Sequence, residues 1–306
     1  MKLLVAIDYS QPSQQVIDEV TKRPWPAATT ACALHVVDWA QLPSSAALIE
    51  AMKQSAEGLV KSASEKLCKA GVQATVKVRE GHARVAIAEY AKEWGADLVL
   101  VGAHGAGGLA RFLLGSVAHA TLRRSPCSVE IVRRPALDSA AVSTAMKILV
   151  AVDGSECSMA GVRSIACRPW PTGSQIRLVS AIPLMVPLGE TISLAPIYYP
   201  SPEVTDTLQE EARNQAEEAV ARARQVLTGE GIKPVEIESL PVGDPKQVIL
   251  DQAKNWGTDL IVVGSHGYRG IDRFMLGSVS EAVAMHAHCS VEVIRESPLT
   301  ASKESQ

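Results

Sequence analysis

The chain has 306 residues, of which 47% are hydrophobic, and this is enough for two ordinary globular domains. Its formal net charge of -3 argues against nucleic acid as the main partner, because proteins that bind phosphate backbones usually carry a basic face. The opening run "LLVAI" is too short for a signal peptide, and no apolar run reaches the length of a membrane helix. We therefore expect a cytoplasmic protein whose six cysteines, which form no C-x-x-C, are reduced thiols.

The first half alternates short β-branched runs with segments of helical periodicity. The runs that predict strands are, in chain order, "LLVAI", "ACALHVV", "ATVKV", "DLVLV" and "SVEIV". Between them, helices are predicted at Gln11–Lys22, Ala46–Ala70, Ala83–Trp94 and Gly115–Arg124.

The second half repeats this order, with strands predicted at "ILVAV", "IRLVSA", "VEIESL", "DLIVV" and "SVEVI". The opening "MKLLVAIDYS" returns 145 residues later as "MKILVAVDGS", and "RPWP" at Arg23 returns at Arg168. Of the 24 positions from 94 to 117, 15 match positions 256 to 279, where about 1 or 2 matches are expected by chance. The displacement here is 162, so the second copy has 17 more residues, which fall around a proline-rich insertion at 182–204.

The repeat predicts two copies of one domain, at residues 1–134 and 146–297. A linker at 135–145 joins them, and a disordered tail is predicted at 298–306. Strands that alternate with helices predict right-handed crossovers. Each domain is therefore expected to be a doubly wound α/β unit, with a five-stranded parallel sheet and helices on both faces.

Glycines recur at equal spacing after the fourth predicted strand of each copy. Ligands of doubly wound sheets bind at the carboxyl ends of the strands, where a glycine permits a positive φ and a close approach to the backbone. A Gly-Ser pair then begins the next helix, whose first N–H groups favour a phosphate. The spacing suits a polyphosphate, but duplication would copy structural turns as faithfully as binding sites, so both interpretations stay open.

Other nucleotide-binding and catalytic signatures do not occur in the sequence. There is no G-x-x-x-x-G-K-[ST], and the first strand does not lead into G-x-G-x-x-G. No paired carboxylates, Ser-His-Asp order or H-E-x-x-H indicate a catalytic centre. The sequence thus favours binding over turnover.

The motif G-x2-G-x9-G-[ST], after a strand that starts V-A-[IV]-D-x-S, resembles the ATP-binding branch of the universal stress protein family, in a tandem form. The resemblance implies the strand order 3-2-1-4-5 and an ATP site at the strand carboxyl ends. It implies adenosine contacts in each copy from Asp8, Val36, Asp153 and Ser180. It implies ribose and phosphate contacts from Gly102, Gly105, Gly115, Ser116, Val117, Gly264, Gly267, Gly277, Ser278, Val279 and Ser280. Mg²⁺ is expected to arrive with ATP rather than on a protein site.

The two predicted sites differ at one position, where Ser280 of the second copy corresponds to Ala118 of the first. A hydroxyl at this position predicts tighter binding in the second copy. His104 and His266 allow a phosphate-side role or loop hydrogen bonding. Arg111 and Arg273 allow charge neutralisation or packing over neighbouring apolar residues.

Three functions remain after these observations. The first is a nucleotide-dependent stress-response sensor or regulator with little or no ATP turnover. The second is an adenine-nucleotide hydrolase or transferase that uses the same site, and slow hydrolysis is left open. The third is an interaction module that holds no nucleotide.

The last strands of the two copies alternate apolar and polar residues and would lie at sheet edges. Exposed edges invite pairing with another strand, and a tandem chain supplies its own partner. We expect the two copies to pair antiparallel through these strands and to bury Val129, Ile131, Val291 and Val293. A homodimer of the whole chain, through the insertion, is left open.

Overall fold

The computed structural model describes residues 1–38, 46–105, 114–133, 145–184, 202–235, 240–267 and 276–295. The predicted tail, most of the linker and most of the insertion lie outside these residues. So do Arg111 and Arg273. None of the described helices is both long and apolar enough to cross a membrane.

The described residues of the first half form five strands and four helices. In chain order they are β1 (Lys2–Ala6), α1 (Gln11–Lys22), β2 (Thr30–Val37), α2 (Ala46–Lys69), β3 (Gln73–Glu80), α3 (Ala83–Trp94), β4 (Leu98–Gly102), α4 (Ser116–Arg124) and β5 (Ser128–Val132).

The second half repeats the pattern within its described residues. Its elements are β6 (Lys147–Ala151), α5 (Glu156–Ala166), β7 (Gln175–Val179), α6 (Pro202–Gly229), α7 (Pro245–Trp256), β8 (Leu260–Gly264), α8 (Ser278–His286) and β9 (Ser290–Ile294). The strand predicted at "VEIESL" falls largely on residues outside the described ranges. Beside them, Val235 bridges Arg177 and Val242 bridges Ile182, both in parallel.

Equivalent glycines end equivalent helices in the two copies. Gly95 follows α3 and Gly257 follows α7, with φ of 70° and 68°. This left-handed conformation closes the last helical turn and turns the chain toward the next strand. Both strands that follow, β4 and β8, are buried in the sheet.

The strands form one nine-stranded sheet of order β3-β2-β1-β4-β5-β9-β8-β6-β7. Pairing is parallel inside each half, which confirms the predicted α/β class. The halves meet where β5 pairs antiparallel with β9, and Glu130 lies opposite Glu292. We call this β5–β9 pairing the join.

Helices cover both faces of the sheet, and the apolar core differs between the two faces. On the face of α3, α4, α7 and α8 one cluster is continuous across both halves. Val129, Ile131, Val291 and Val293 belong to it and are at most 1% exposed. On the face of α1, α2, α5 and α6 each half has its own cluster. The join is therefore sealed by apolar packing on one face only.

On the other face the join is closed by buried charges. Glu130 and Glu292 are 0% and 1% exposed. Arg23 donates two hydrogen bonds to Glu130, at 2.9 and 2.5 Å, and Arg168 reaches both carboxylate oxygens of Glu292 at 2.8 and 3.0 Å. Buried carboxylates require such partners, because an unpaired buried charge is strongly destabilising.

The repeated "RPWP" segments supply these arginines and cover them. Arg168 lies 5.4 Å from the ring centre of Trp170, and Arg23 lies 6.0 Å from the rings of both Trp25 and Trp170. The contact of Arg23 with Trp170 crosses from one half to the other. Cation–π contacts at this range add to the ion pairs and help to exclude water.

Burial, reinforced by the facing Glu292 and by Glu19, raises the pKa of Glu130 from 4.5 to about 7, while Arg23 acts in the opposite direction. The folded state thus holds this proton more tightly than the unfolded chain does. The carboxyl contributes stability that is fully present below about pH 4.5 and is lost as the pH rises to about 7.

Glu130→Gln removes this titration but keeps the side-chain shape. We expect the decline in unfolding free energy between pH 5 and pH 7 to become shallower in this variant. Urea unfolding at pH 5, 6, 7 and 8 measures it, with exposed Glu89→Gln as the control that keeps the wild-type slope. Equal slopes in Glu130→Gln and wild type would contradict the expectation.

Candidate functional site

A cavity of about 380 Å³ lies at the carboxyl ends of β1, β2 and β4, beside the N-terminal ends of α3 and α4. This is the edge at which doubly wound sheets bind ligands. All seven residues predicted as site residues in the first half line it: Asp8, Val36, Gly102, Gly105, Gly115, Ser116 and Val117.

The cavity also has a lining that the glycine spacing did not indicate. Leu34 and Val36 lie on the same face of β2, and Ala83 and Ile87 lie one turn apart on α3. The alternation in "ALHVV" and the i, i+4 spacing at the start of α3 are the sequence signals for these residues. They give the cavity an apolar part, whereas Asp8 and the glycine loop are polar.

Asp8 is fixed at the mouth of the cavity by the turn that follows β1. Its Oδ1 accepts hydrogen bonds from the Ser10 amide at 2.9 Å, from the Ser13 hydroxyl at 2.6 Å and from the Ser10 hydroxyl. Its backbone N–H donates to the Ser13 hydroxyl at 2.8 Å. The carboxylate therefore has one oxygen committed to the turn, and the other, Oδ2, faces Gly105.

Asp153 takes the same place in the second half. Its Oδ1 accepts from the amide and the hydroxyl of Ser155 at 3.0 and 2.6 Å. A Cβ at Gly267 would lie 2.8 Å from Asp153 Oδ2, and a Cβ at Gly105 would lie 3.0 Å from Asp8 Oδ2. These two glycines let the loop approach the carboxylate in both copies.

The turns after the first strands differ between the halves. Gly154 has φ 83°, and a Cβ there would lie 2.6 Å from the Arg222 guanidinium, which donates to the Gly154 carbonyl at 3.2 Å. In the first half this position is Tyr9, whose hydroxyl donates to Ser55 at 2.9 Å and whose ring lies 5.3 Å from that of His35. The two turns thus differ in chemistry, because an aromatic side chain stands in the first turn and a cationic side chain packs on the second.

The positive φ expected at Gly102 and Gly264 is wrong, whereas their contact with a ligand stays a prediction. Neither has a positive φ. A Cβ at Gly102 would lie 2.9 Å from Pro12 Cβ, and one at Gly264 would lie 2.9 Å from the backbone of Cys157 and Ser158. These glycines let the strand end pack against the start of α1 or α5, so protein packing requires them whether or not a ligand binds.

Gly115 and Gly277 anchor the next helices to the loops. Each N–H donates at 2.7 Å to the carbonyl of the residue after the strand, Ala103 or Ser265. Each glycine is the N-cap, with φ of −63° and −68°, and no side chain caps either helix. Neither Ser116 nor Ser278 therefore caps its helix with its hydroxyl, and both residues are exposed.

These uncapped starts leave the first N–H groups of α4 and α8 without intrahelical acceptors. Ser116 and Val117 of α4 line the cavity, and Ser278 and Val279 hold the equivalent positions of α8. A helix start of this kind, beside a polar loop, can receive an anion.

The hydroxyl of Ser280 is buried and bonded inside the protein, and its predicted contact with a phosphate stays a prediction. Ser280 is 2% exposed, and its hydroxyl lies 2.8 Å from the Gly277 carbonyl and 3.1 Å from the Ser265 carbonyl, to which it donates. Since a hydroxyl has one proton, donation to a phosphate would break this arrangement. Ala118, equally buried, lines the first cavity without such a bond.

Two further residues complete the comparison of the sites. Burial, together with Arg133, lowers the pKa of His104, which lines the cavity. The imidazole is therefore neutral at pH 7 and offers a hydrogen bond rather than a charge. In the second half Ser180, predicted to face the adenine, follows β7 and is 4% exposed.

Among the described residues there is no cluster of three or more metal-binding side chains.

Comparison with known proteins gives the same result for both halves. A family model described as "Universal stress protein family" matches residues 1–133 and again residues 144–295. The chain is 30% identical over 152 residues to universal stress protein Sll1388 of Synechocystis, covering 49% of this chain and 97% of that one. It is 33% identical over 166 residues to the putative universal stress protein SAUSA300_1656 of Staphylococcus aureus, covering 53% and 92%.

Solved structures agree in fold along the whole chain. A universal stress protein from Archaeoglobus fulgidus is 21% identical, covers 96% of both chains and has a TM-score of 0.65. A functionally unknown protein, PA1789 of Pseudomonas aeruginosa, is 18% identical and covers 98% of this chain and 94% of that one, with a TM-score of 0.57. At these identities the likeness concerns the fold alone.

Proposed function

The chain belongs to the universal stress protein family, with one family domain in each half, and from this premise we propose that it binds ATP as a stress-response regulator. The observation that carries the proposal is the cavity of about 380 Å³, because all seven residues selected in the first half line it. It is concave, partly apolar and has a few convergent polar groups, as small-molecule sites usually do.

We assign the parts of the nucleotide by the chemistry of the lining. Leu34, Val36, Ala83 and Ile87 provide an apolar place for the adenine, with the Val36 backbone beside it. Asp8 is assigned to the ribose. Its Oδ1 is already held by Ser10 and Ser13, which fixes the carboxylate before any ligand arrives.

The phosphates are assigned to the glycine loop and the start of α4, through Gly102, Gly105, Gly115, Ser116 and Val117. In the second half the equivalent assignment is to Asp153, Ser180, Gly264, Gly267, Gly277, Ser278 and Val279. Backbone N–H groups of an uncapped helix start supply the favourable electrostatics. Mg²⁺ would be bound by the phosphates, since magnesium commonly uses substrate oxygens rather than an all-protein cage.

We propose retention of ATP rather than rapid turnover. Among the described residues, the titratable side chains that line the cavity are Asp8, His35 and His104. Asp8 is committed to the turn through Oδ1, and His35 is 8% exposed with Nδ1 2.8 Å from the Ile7 carbonyl. The lowered pKa of His104 leaves it neutral. Among the described residues that line the cavity there is also no lysine or arginine, the side chains that commonly neutralise the developing charge in phosphoryl transfer.

We also propose that residues 1–134 and 146–297 act as two domains held together by the join in solution. The apolar cluster that is continuous across β5 and β9 supports this, as do the buried ion pairs on the opposite face.

Mass spectrometry of the small molecule that co-purifies with the full chain tests the proposal, together with calorimetry of ATP, ADP and GTP. We expect bound adenine nucleotide and micromolar or tighter affinity for ATP. Multiple-turnover hydrolysis above about 1 per second would favour an enzyme instead. Absence of nucleotide after gentle purification, with no binding in calorimetry, would favour an interaction module.

Ser280→Ala separates a structural role of this hydroxyl from a ligand role. Because the hydroxyl donates to the carbonyls of Gly277 and Ser265, we expect its loss to lower the free energy of unfolding by about 1 kcal/mol. ATP affinity should change less than about twofold, since no phosphate bond is removed. Urea unfolding and calorimetry measure the two effects. A tenfold loss of ATP affinity at unchanged stability would indicate instead that the Ser280 hydroxyl binds a phosphate.

A further inference from the structure

His119 and Glu281 form a polar contact between the two halves. His119 Nε2 lies 2.8 Å from Glu281 Oε1, and their side chains are 33% and 29% exposed. The two residues are separated by 162 positions, which is the displacement of the repeat in this region. The same position of the two copies thus holds a histidine in one and a glutamate in the other.

The join explains why equivalent positions meet. In β5 and β9, Glu130 lies opposite Glu292, and these residues are also 162 positions apart. An antiparallel pair in which a residue faces its own equivalent has a pseudo-two-fold axis at that point. His119 on α4 and Glu281 on α8 meet across the same axis. If two copies of the same half were paired in this way, a residue on the axis would contact the identical residue of the other copy.

Other contacts beside the join are the same in both directions. The Arg133 amide donates to the Ser290 hydroxyl at 3.0 Å, and the Arg295 amide donates to the Ser128 hydroxyl at 3.2 Å. These contacts would form equally well between two first halves or two second halves. They hold the join together without selecting which halves form it.

The contacts around Glu281 are not the same in both directions. Arg123 Nη1 lies 3.8 Å from Glu281 Oε1, and the equivalent of Arg123 in the second copy is Met285. The first half therefore presents His119 and Arg123, and the second half presents an acidic side chain. Pairing two second halves would place Glu281 against Glu281, and pairing two first halves would leave His119 and Arg123 without a carboxylate.

We propose that this contact selects the partner of each half: the α4–β5 surface of the first domain accepts the α8–β9 surface of a second domain, and the α8–β9 surface rejects a copy of itself. Repulsion between like charges at an interface is an effective way to exclude a wrong partner. The proposal concerns assembly and does not depend on nucleotide binding.

The test uses the full chain with a protease recognition sequence placed within 135–143, so that after cleavage the halves are held together by non-covalent contacts. Native mass spectrometry of the cleaved wild type should show complexes of a first half with a second half, and no complexes of like halves. His119→Glu should weaken the association about tenfold, because it sets two carboxylates against each other. His119→Glu combined with Glu281→His should restore it to within about twofold.

Arg163→Glu is the matched control, because Arg163 pairs with Glu156 at 3.5 Å inside the second half. It should leave association unchanged. Complexes of like halves in abundance similar to the mixed complex would overturn the proposal. The proposal would also be overturned if the double variant did not regain wild-type association although its uncleaved chain unfolds as the wild type does. His119 would then matter only for local packing.

Discussion

Replacing Arg23 by alanine should lower the free energy of unfolding by about 3 to 5 kcal/mol, because it leaves the carboxylate of Glu130 buried without its charged partner. Glu130 is 0% exposed and receives two hydrogen bonds from this guanidinium. Glu292, directly opposite in the join, adds repulsion once Arg23 is gone. Urea unfolding at pH 8, which is above the pKa of about 7 that Glu130 has with Arg23 in place, measures the loss.

Arg163→Ala is the matched control for this experiment. Arg163 is half exposed, and its ion pair with Glu156 is 3.5 Å long, so its loss should cost less than about 0.5 kcal/mol. If Arg23→Ala cost no more than this control, the buried ion pair would contribute nothing to the join.

The second large effect is expected at the cavity, where Ala83→Trp should weaken ATP binding at the first site at least about a hundredfold. Ala83 begins α3 and lines the apolar part of the cavity. An indole there would occupy a large share of about 380 Å³ without changing any glycine of the loop. A hundredfold loss corresponds to about 2.7 kcal/mol, and calorimetry on the full chain measures it.

The adjacent Arg84 provides the control, since it is exposed and does not line the cavity. Arg84→Trp adds the same indole at the neighbouring position, and ATP affinity should remain within about twofold. The second site serves as an internal reference, because Ala83→Trp leaves it intact. If Ala83→Trp bound ATP at both sites with unchanged affinity, this cavity would not be the ATP site, whatever the fold of the variant.

The order of strands and helices could be predicted because each element carries a local signal. Alternation in "SVEIV" and periodicity from Ala83 to Trp94 depend on neighbouring residues, and the structure has β5 and α3 at these places. The repeat strengthens the prediction, because two copies with the same pattern exclude accidental periodicity.

The environment of Glu130 could not be predicted, because it depends on residues distant in sequence. In "SVEIV" a glutamate between valine and isoleucine indicates a solvent-facing position. It is buried because Arg23, 107 residues earlier, and the second half cover that face. The glycines could be interpreted only in part for the same reason. Their spacing indicates that another group lies close to Gly102, but only the fold shows that this group is Pro12.

The antiparallel join also determines the direction in which the two candidate sites open. Strands run parallel within each half and reverse between β5 and β9, so the carboxyl ends of the two halves point in opposite directions. Sites at those ends therefore open at opposite edges of one sheet. No single small ligand can bridge them, and they cannot merge into one composite centre. A macromolecule that responds to ligand in both sites would have to contact both edges of the sheet. One that binds a single edge would respond to ligand in only one of the two sites.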